Sequence, residues 1–472
     1  MSIRRLDFIV IGAGLAGSEA ALTLAEADAS VRLYEQKPKR FSAAHRLSGA
    51  AELVCSNSFK SMNPHSAHGL LKAELEILNS PLLKLALQSR VPGGQALSVD
   101  REIFSQKVTN AIEQHPRIDF VCEAFEDFPS SETPTLIATG PLSSDILMKN
   151  IREILGDEGL YFYDATSPVL RLDSLDLKHF FWGERRDLNG EDYLNLPLSR
   201  EQYMSFRQDV LDAEKMTGHL AEEDLKYFEG CLPIEALAER GVDTLAFSCM
   251  KPIGLAHPDF PKPYAVIQFR REKAAGDLLN MVGFQTRMKW PEQERVFRKL
   301  PGMENAEFVR LGAMHRNSFI NAPLHLSEDL SLKKFPSIFM AGQLTGSEGY
   351  TEALSTGHYA ARSMMAWKGM PESSAIRSLV RYLIQSDPKH FQPMNFNFGL
   401  LPPGEEIPVK MKKRLAKKEK KKRLSERALR DLLKWRDEIY NSMSSNFSGE
   451  TPSMPNSPKT PIEPAVSTSN VL

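Results

Sequence analysis

The apolar pattern at the start of the chain changes period twice in under thirty residues. Phe8-Ile9-Val10-Ile11 is an unbroken apolar run of the length of a buried strand. After a glycine-rich turn, apolar residues from Leu15 to Leu24 recur at helical spacing, and Val31 to Tyr34 forms a second strand that ends at Glu35. The pattern predicts strand, turn, helix, strand. Far downstream, Thr135 to Gly140 reads as a strand running into a glycine turn. Phe339 to Gly342 repeats that pattern, followed by a glycine-spaced stretch and a helix over Thr351 to Ala366.

Between these lies a long section, roughly 170 to 335, with its own helices and strands and with Pro197, Pro233, Pro252, Pro263 and Pro291. It reads as an inserted domain. From Glu405 the chain turns basic and then helical, through Ser425 to Tyr440. From Asn441 it is rich in Ser, Pro, Asn and Thr, the composition of a disordered tail. The expected division is therefore 1–169 and 336–404 for the two parts of a nucleotide-binding domain and 170–335 for an inserted substrate domain. A basic helical segment over 405–440 and a tail over 441–472 complete it. No internal repeat is present.

Composition narrows the function class. At 472 residues the length suggests about three domains, and 42% hydrophobic with 25% charged residues is the balance of an ordinary globular protein. No run approaches the ~18 consecutive apolar residues of a membrane-spanning helix. The N-terminus has two arginines, but Asp7 interrupts its short apolar stretch, so it reads as a first strand and not as a signal peptide. The four cysteines, Cys55, Cys122, Cys231 and Cys249, are too few and too scattered for a disulfide framework or a zinc site. No metal is expected, and a reducing cytoplasm is the natural compartment. The net charge of −1 hides a block from Lys410 to Leu424 that carries +9, leaving −10 for the rest. Such a block is either a solvated helix face or an anion-binding surface.

The first turn carries the clearest chemistry. Gly12-Ala13-Gly14-Leu15-Ala16-Gly17 is a GxGxxG fingerprint between strand and helix, and Glu35 lies 21 residues beyond Gly14. The first glycine permits the tight turn, the second lets a pyrophosphate approach the backbone, and the third allows close helix–strand packing. The helix N-terminus offers unpaired N–H groups to phosphate, and Glu35 can accept from a ribose diol. NAD and S-adenosylmethionine sites also use glycine turns and an acid. The fingerprint at the extreme N-terminus, with glycine turns at Gly140 and at Gly342-Gln343 far downstream, is instead the plan of large FAD proteins. The predicted fold class is α/β: a Rossmann-like FAD domain of the glutathione-reductase type with a large α/β insertion and a C-terminal basic helix.

Two of the cysteines stand among loop residues: Cys55 in Glu52-Leu-Val-Cys-Ser-Asn-Ser58 and Cys231 in Glu229-Gly-Cys-Leu-Pro-Ile-Glu235. In a flavoprotein fold the Cys55 segment commonly passes the isoalloxazine ring. Cys122, in Phe120-Val-Cys-Glu-Ala-Phe125, looks like a buried strand residue, and the context of Cys249 leaves it undecided. Thiols so far apart suit either a redox pair or covalent catalysis by a thiolate adding to an electron-poor carbon, and sequence alone leaves both open.

Together these stretches resemble the folate/FAD-dependent tRNA (uracil-5-)-methyltransferases, known as TrmFO. The resemblance runs from Phe8 to about Trp435. It is carried by LVCSNS (Leu53–Ser58), RVPGGQALSVDR (Arg90–Arg101), EGCLPIE (Glu229–Glu235), MKPIGL (Met250–Leu255), VGFQT (Val282–Thr286), PGMENAEFVRLGAMHRNSFI (Pro301–Ile320), AGQLTGSEGYTEALSTG (Ala341–Gly357) and FQPMNFNFGLLPP (Phe391–Pro403). Asp28 stands where a turn glycine is frequent, and Asp tolerates the left-handed backbone.

The resemblance implies a bound FAD reduced by NADH or NADPH, 5,10-methylenetetrahydrofolate as carbon donor, and methylation of carbon 5 of the T-loop uridine 54 of tRNA. It implies Cys231 as the thiolate that adds to the uridine and Cys55 on the flavin side, guarding the one-carbon unit or moving a proton; the two roles could be exchanged. His315, Arg316 and Asn317 are implied near folate or flavin. Arg270, Arg271 and Lys251 could hold an anion, or the arginines could pair with acids such as Glu272. With tRNA as partner, the basic block reads as a phosphate contact, and the target base must leave its stack. The nearest alternatives are an FAD-dependent tRNA wobble-uridine modification protein and a flavin disulfide oxidoreductase.

Overall fold

The computed structural model describes residues 6–42, 44–130, 132–156, 160–185, 187–188, 190–216, 232–272, 277–367, 369–404 and 413–446. One six-stranded sheet has the order Ser331–Leu332, Phe335–Met340, Thr135–Ile137, Phe8–Ile11, Val31–Tyr34, Ile118–Val121. Its neighbours are parallel except for the edge pair of Ser331–Leu332 with Phe335–Met340. A parallel sheet is covered on both faces, so its strands are apolar without alternation; Val10, Ile11, Leu33, Leu136, Ile137, Ile338 and Met340 are all buried. In register, Ile11 lies opposite both Tyr34 and Ile137, and Ile137 lies opposite Met340. The strands expected from the apolar pattern are thus adjacent and end on one edge, where ligands bind in open α/β sheets.

The helix Leu15–Glu26 packs closely on the helix Tyr350–Met364. Their interface encloses polar groups that are fully paired. His358 Nδ1 lies 2.8 Å from Glu19 Oε1 and 3.3 Å from Thr23 Oγ1, and Arg362 Nε donates to His358 Nε2 at 3.3 Å. Arginine can only donate, so the ring proton belongs on Nδ1, directed at Glu19. Burial lowers the pKa of His358 and keeps the imidazole neutral. Asp28, in the turn after the first helix, has φ +69°, the left-handed conformation expected there.

A second six-stranded sheet, antiparallel throughout, has the order Phe181–Trp182, Tyr193–Leu198, Ala265–Arg271, Leu278–Met281, Val169–Arg171, Phe308–Arg310. It has its own core, in which Leu196, Phe206, Ile267, Phe269, Phe284 and Phe297 are buried. The antiparallel pair Leu160–Ala165 and Met314–Phe319 leads into and out of this layer. Phe319, Ile320, Leu326, Leu330 and Leu332 already pack into the core of the first sheet.

The last helix runs Lys413–Asn446, six residues past Tyr440, so Asn441 to Asn446 are helical where a tail was expected. Leu424, Ala428, Leu432 and Trp435 recur on one face and are buried in the core of the first sheet, with Ile439 packed beside them. That anchored face carries the helix onward. Residues 447–472 lie outside the described part of the chain. Among the described residues no helix is long and apolar enough to cross a membrane.

Candidate active site

The fingerprint turn has the geometry its glycines require. Gly12 has φ +97°, and a Cβ there would fall 2.8 Å from the Ala138 carbonyl oxygen. A Cβ on Gly17 would fall 1.8 Å from the Gly12 carbonyl oxygen, so only glycine lets the helix sit this close to its own strand. A Cβ on Gly14 would meet nothing within 4 Å, which is the open side a pyrophosphate needs. Leu15 opens the helix, and Ala13 and Ala16 are buried beneath the turn.

Glu35 closes the far side of this cleft. Its Oε2 accepts from the Ala13 N–H at 3.0 Å and its Oε1 from the Lys37 N–H at 3.0 Å. Each oxygen keeps a lone pair for a ribose hydroxyl. Gly12, Gly14, Glu35, Lys37, Thr139 and Ser143 all line the cleft. The open face at Gly14 and the remaining acceptors of Glu35 fit the adenosine and pyrophosphate of a dinucleotide. Glu35→Gln puts an amide where two backbone donors converge, and should weaken FAD binding about tenfold, roughly the 1.4 kcal/mol of one charged hydrogen bond. Titration of the apoprotein with FAD checks this.

A second cavity, of about 190 Å³, meets the first at Leu142. Cys55, Lys60, Gln343, Glu348, Tyr350 and Asn395 are among its walls. Gly342 has φ +77°, and its N–H donates to Thr356 Oγ1 at 3.0 Å, while Gln343 Nε2 donates to Glu348. Gly140, at φ +73°, turns the chain after Thr135–Ile137 toward Pro141 and Leu142, which line the cavity.

The Cys55 segment is held at four backbone points. Arg101 Nη1 donates to the Leu53 carbonyl at 3.0 Å and Arg310 Nη1 to that of Val54 at 3.4 Å. The N–H groups of Cys55 and Ser56 donate to Tyr350 Oη at 2.8 and 3.0 Å. Burial, with the Cys55 thiol nearby, pushes the Tyr350 phenol above its ordinary pKa, so it stays protonated. Behind the cavity, Lys72 Nζ donates to the carbonyls of Phe59 and His68 at 2.7 and 2.9 Å. Burial pulls the Lys72 ammonium down to about 7, against the attraction of Glu352.

The other expected residues are dispersed. Cys231 lies outside the described residues, as do the side chains of His315 and Arg316. Asn317 is buried and lines the Cys55 cavity. Cys122 is half-buried just past the edge strand Ile118–Val121, and not inside a strand as expected, because the chain leaves the sheet at Val121. Burial of the Cys249 thiol pushes its pKa up to about 11, which suits packing and not nucleophilic work. Lys251 gives its carbonyl to Arg185 Nη1 at 2.6 Å. Arg270 Nε donates to Asn57 Oδ1 at 2.9 Å, and Arg271 stacks on Trp182 at 4.3 Å. Glu272 pairs with Arg101.

Asn57, fully buried, also donates from Nδ2 to the Arg271 carbonyl at 3.0 Å, which ties the Cys55 loop to the inserted sheet. Asn57→Ala strands the buried Arg270 Nε and should cost about 1–3 kcal/mol, read as a lower midpoint of thermal unfolding. Arg101, Arg310 and Tyr350 carried no signal of a role in the sequence. Each lies inside a stretch that resembles the family, yet nothing in its spacing relates it to Cys55.

The sequence profile of the family described as Glucose inhibited division protein A matches residues 7–368. A methylenetetrahydrofolate--tRNA-(uracil-5-)-methyltransferase TrmFO of Natranaerobius thermophilus is 46% identical over 430 residues, covering 90% of this chain and 97% of the relative. The enzyme of that name from Geobacter sulfurreducens is 47% identical over 434 residues, covering 90% and 98%. The chain belongs to the TrmFO family. Among solved structures, Aquifex aeolicus GidA superposes with a TM-score of 0.63 over 94% of this chain and 77% of that one. At 15% identity this likeness fixes the shared fold alone. The GidA-like fold of the TrmFO chain is the FAD-binding, Rossmann-like α/β class expected from its fingerprint.

Proposed function

We propose that this chain methylates carbon 5 of a uridine in tRNA, with 5,10-methylenetetrahydrofolate as the carbon donor and FAD as the bound cofactor. The target we assign is uridine 54 of the T-loop, with NADH or NADPH as the reductant, in a reducing cytoplasm. One observation carries the reading. A chain nearly half identical to enzymes of that name places the thiol-bearing Cys55 segment in a cavity that joins a dinucleotide cleft.

Gly12 to Gly17 and Glu35 would hold the adenosine and pyrophosphate, and Gly140, Gly342 and Gln343 the flavin end. FAD, when bound, supplies the reducing equivalents that turn the transferred one-carbon unit into a methyl group. The chain's own residues do the rest. Carbon 5 of uracil is a poor nucleophile until a thiolate adds to carbon 6 and generates an enolate; Cys231 is that thiolate. Once carbon 5 has bonded to the one-carbon unit its proton must leave, and we assign Cys55 to take it. The enolate so formed expels the donor nitrogen, and once the one-carbon unit has been reduced to methyl, elimination of the Cys231 thiolate restores the ring.

The exposed residues Lys418, Lys420 and Lys422 of the last helix supply phosphate contacts. Replacing all three by alanine should weaken tRNA binding, with little change in FAD content. The slope of log K against log salt should fall by about 2–3, near 0.7–0.9 for each phosphate no longer neutralised. Filter binding across a salt series reads both. Formation of ribothymidine in tRNA lacking it tests the function itself.

A further inference from the structure

Two guanidinium groups bracket the Cys55 segment through the Leu53 and Val54 carbonyls, and both interact electrostatically with the Cys55 thiol. Their charges are not equivalent. Arg101 is neutralised by Glu272, with Nε 2.8 Å from Oε2 and Nη2 2.8 Å from Oε1. Among the described residues Arg310 has no such carboxylate: its Nε and Nη2 are buried and make no hydrogen bond to them. Holding a guanidinium this way costs stability, and burial together with the repulsion of Arg101 lowers its pKa, while Glu272, Cys55 and Tyr350 act to raise it. Among the described residues, the remaining charged or titratable groups on the cavity wall are Lys60, Glu348 and Glu352. Glu348 is occupied by Gln343 and Glu352 by His68 at 3.2 Å.

We propose that Arg310 is a positioning residue that keeps Cys55 as the thiolate at neutral pH, by supplying the one positive charge of the Arg101–Glu272–Arg310 cluster that remains uncancelled. Beyond naming Cys55 as a working thiol, this gives the thiol its proton-accepting form, and it rests on the proposed role of Cys55. An anionic sulfur accepts the carbon 5 proton directly, whereas a protonated thiol must first lose its own. Arg310 acts through Cys55, and its side chain need not touch substrate.

The test is alkylation of the full-length holoprotein by iodoacetamide over a pH series, with the Cys55 and Cys122 peptides quantified separately by mass spectrometry. Arg310→Met should raise the apparent pKa of Cys55 by about one unit and slow its alkylation at pH 7 by up to about tenfold, with Cys122 unchanged. Arg310→Lys should restore most of the rate. Glu272→Gln removes the negative charge and should shift the Cys55 profile the opposite way, to lower pH. Flavin absorbance shows that each variant is folded; where one variant loses its flavin, the direction of the other's shift alone decides. Opposite shifts support the proposal; an unmoved profile, or shifts of the same sign in both variants, overturns it. Loss of folate or tRNA affinity in Arg310→Met with an unmoved Cys55 profile would instead make Arg310 a substrate contact. Because the alkylation itself uses no RNA or folate, an inactive enzyme that shows the expected shifts counts against the proposed reaction and not against this one.

Discussion

Gly17→Ala should purify without yellow colour. The added methyl group would lie 1.8 Å from the Gly12 carbonyl oxygen, a backbone atom that no rotamer change can remove. Relief requires the helix Leu15–Glu26 to move off its strand, and the helix is held on its other side, where a Cβ on Gly357 would meet the Ala16 carbonyl at 2.3 Å. Overpacking a core commonly costs 1–3 kcal/mol, and a backbone clash of this depth belongs at about 3 kcal/mol or beyond. Either the fold yields or the turn opens, and in both cases the N–H groups that face Gly14 lose their alignment for phosphate. Flavin absorbance per protein, with circular dichroism to separate unfolding from loss of cofactor, checks it. Gly14→Ala, whose Cβ would meet no protein atom within 4 Å, should keep its fold and lose FAD affinity only.

Cys231→Ala should form no detectable ribothymidine, because without addition at carbon 6 no enolate forms at carbon 5. Cys55→Ala should lower turnover by about 10²–10⁴-fold, the usual worth of a positioned proton acceptor. The two assignments separate on tRNA carrying 5-fluorouridine at the target position. There the carbon 5 proton is replaced by fluorine, so a thiolate that has added cannot be eliminated by proton loss and stays attached. A covalent protein–RNA band should persist in Cys55→Ala and vanish in Cys231→Ala; the reverse result exchanges the roles.

What was legible in the sequence was local. The run Phe8–Ile11, the three glycines and Glu35 all act on neighbours within about one supersecondary unit, so their spacing encodes their geometry. The Asp28 turn was legible for the same reason. The wall around Cys55 was not. Tyr350 lies 295 residues from Cys55 and Arg310 lies 256 residues from Val54, so they meet only through the packing of the inserted sheet and the Tyr350 helix on the first domain. Arg270 illustrates the same limit: as a cation in an apolar strand it suggested an anion site, while the fold gives it Asn57 as a partner. The end of the basic helix was misread because Ser and Asn after Tyr440 suggested a tail. The buried face that ends in Trp435 and Ile439 carries the helix to Asn446.

The central claim, that this chain methylates tRNA uridine from folate, is tested most directly by nucleoside mass analysis. Ribothymidine-free tRNA would be incubated with the purified protein, FAD, NADH or NADPH and methylenetetrahydrofolate, beside an arm in which S-adenosylmethionine replaces the folate. The account predicts ribothymidine in the folate arm only, dependent on Cys231. Ribothymidine in the S-adenosylmethionine arm alone, or a modified nucleoside at the anticodon in its place, would contradict it.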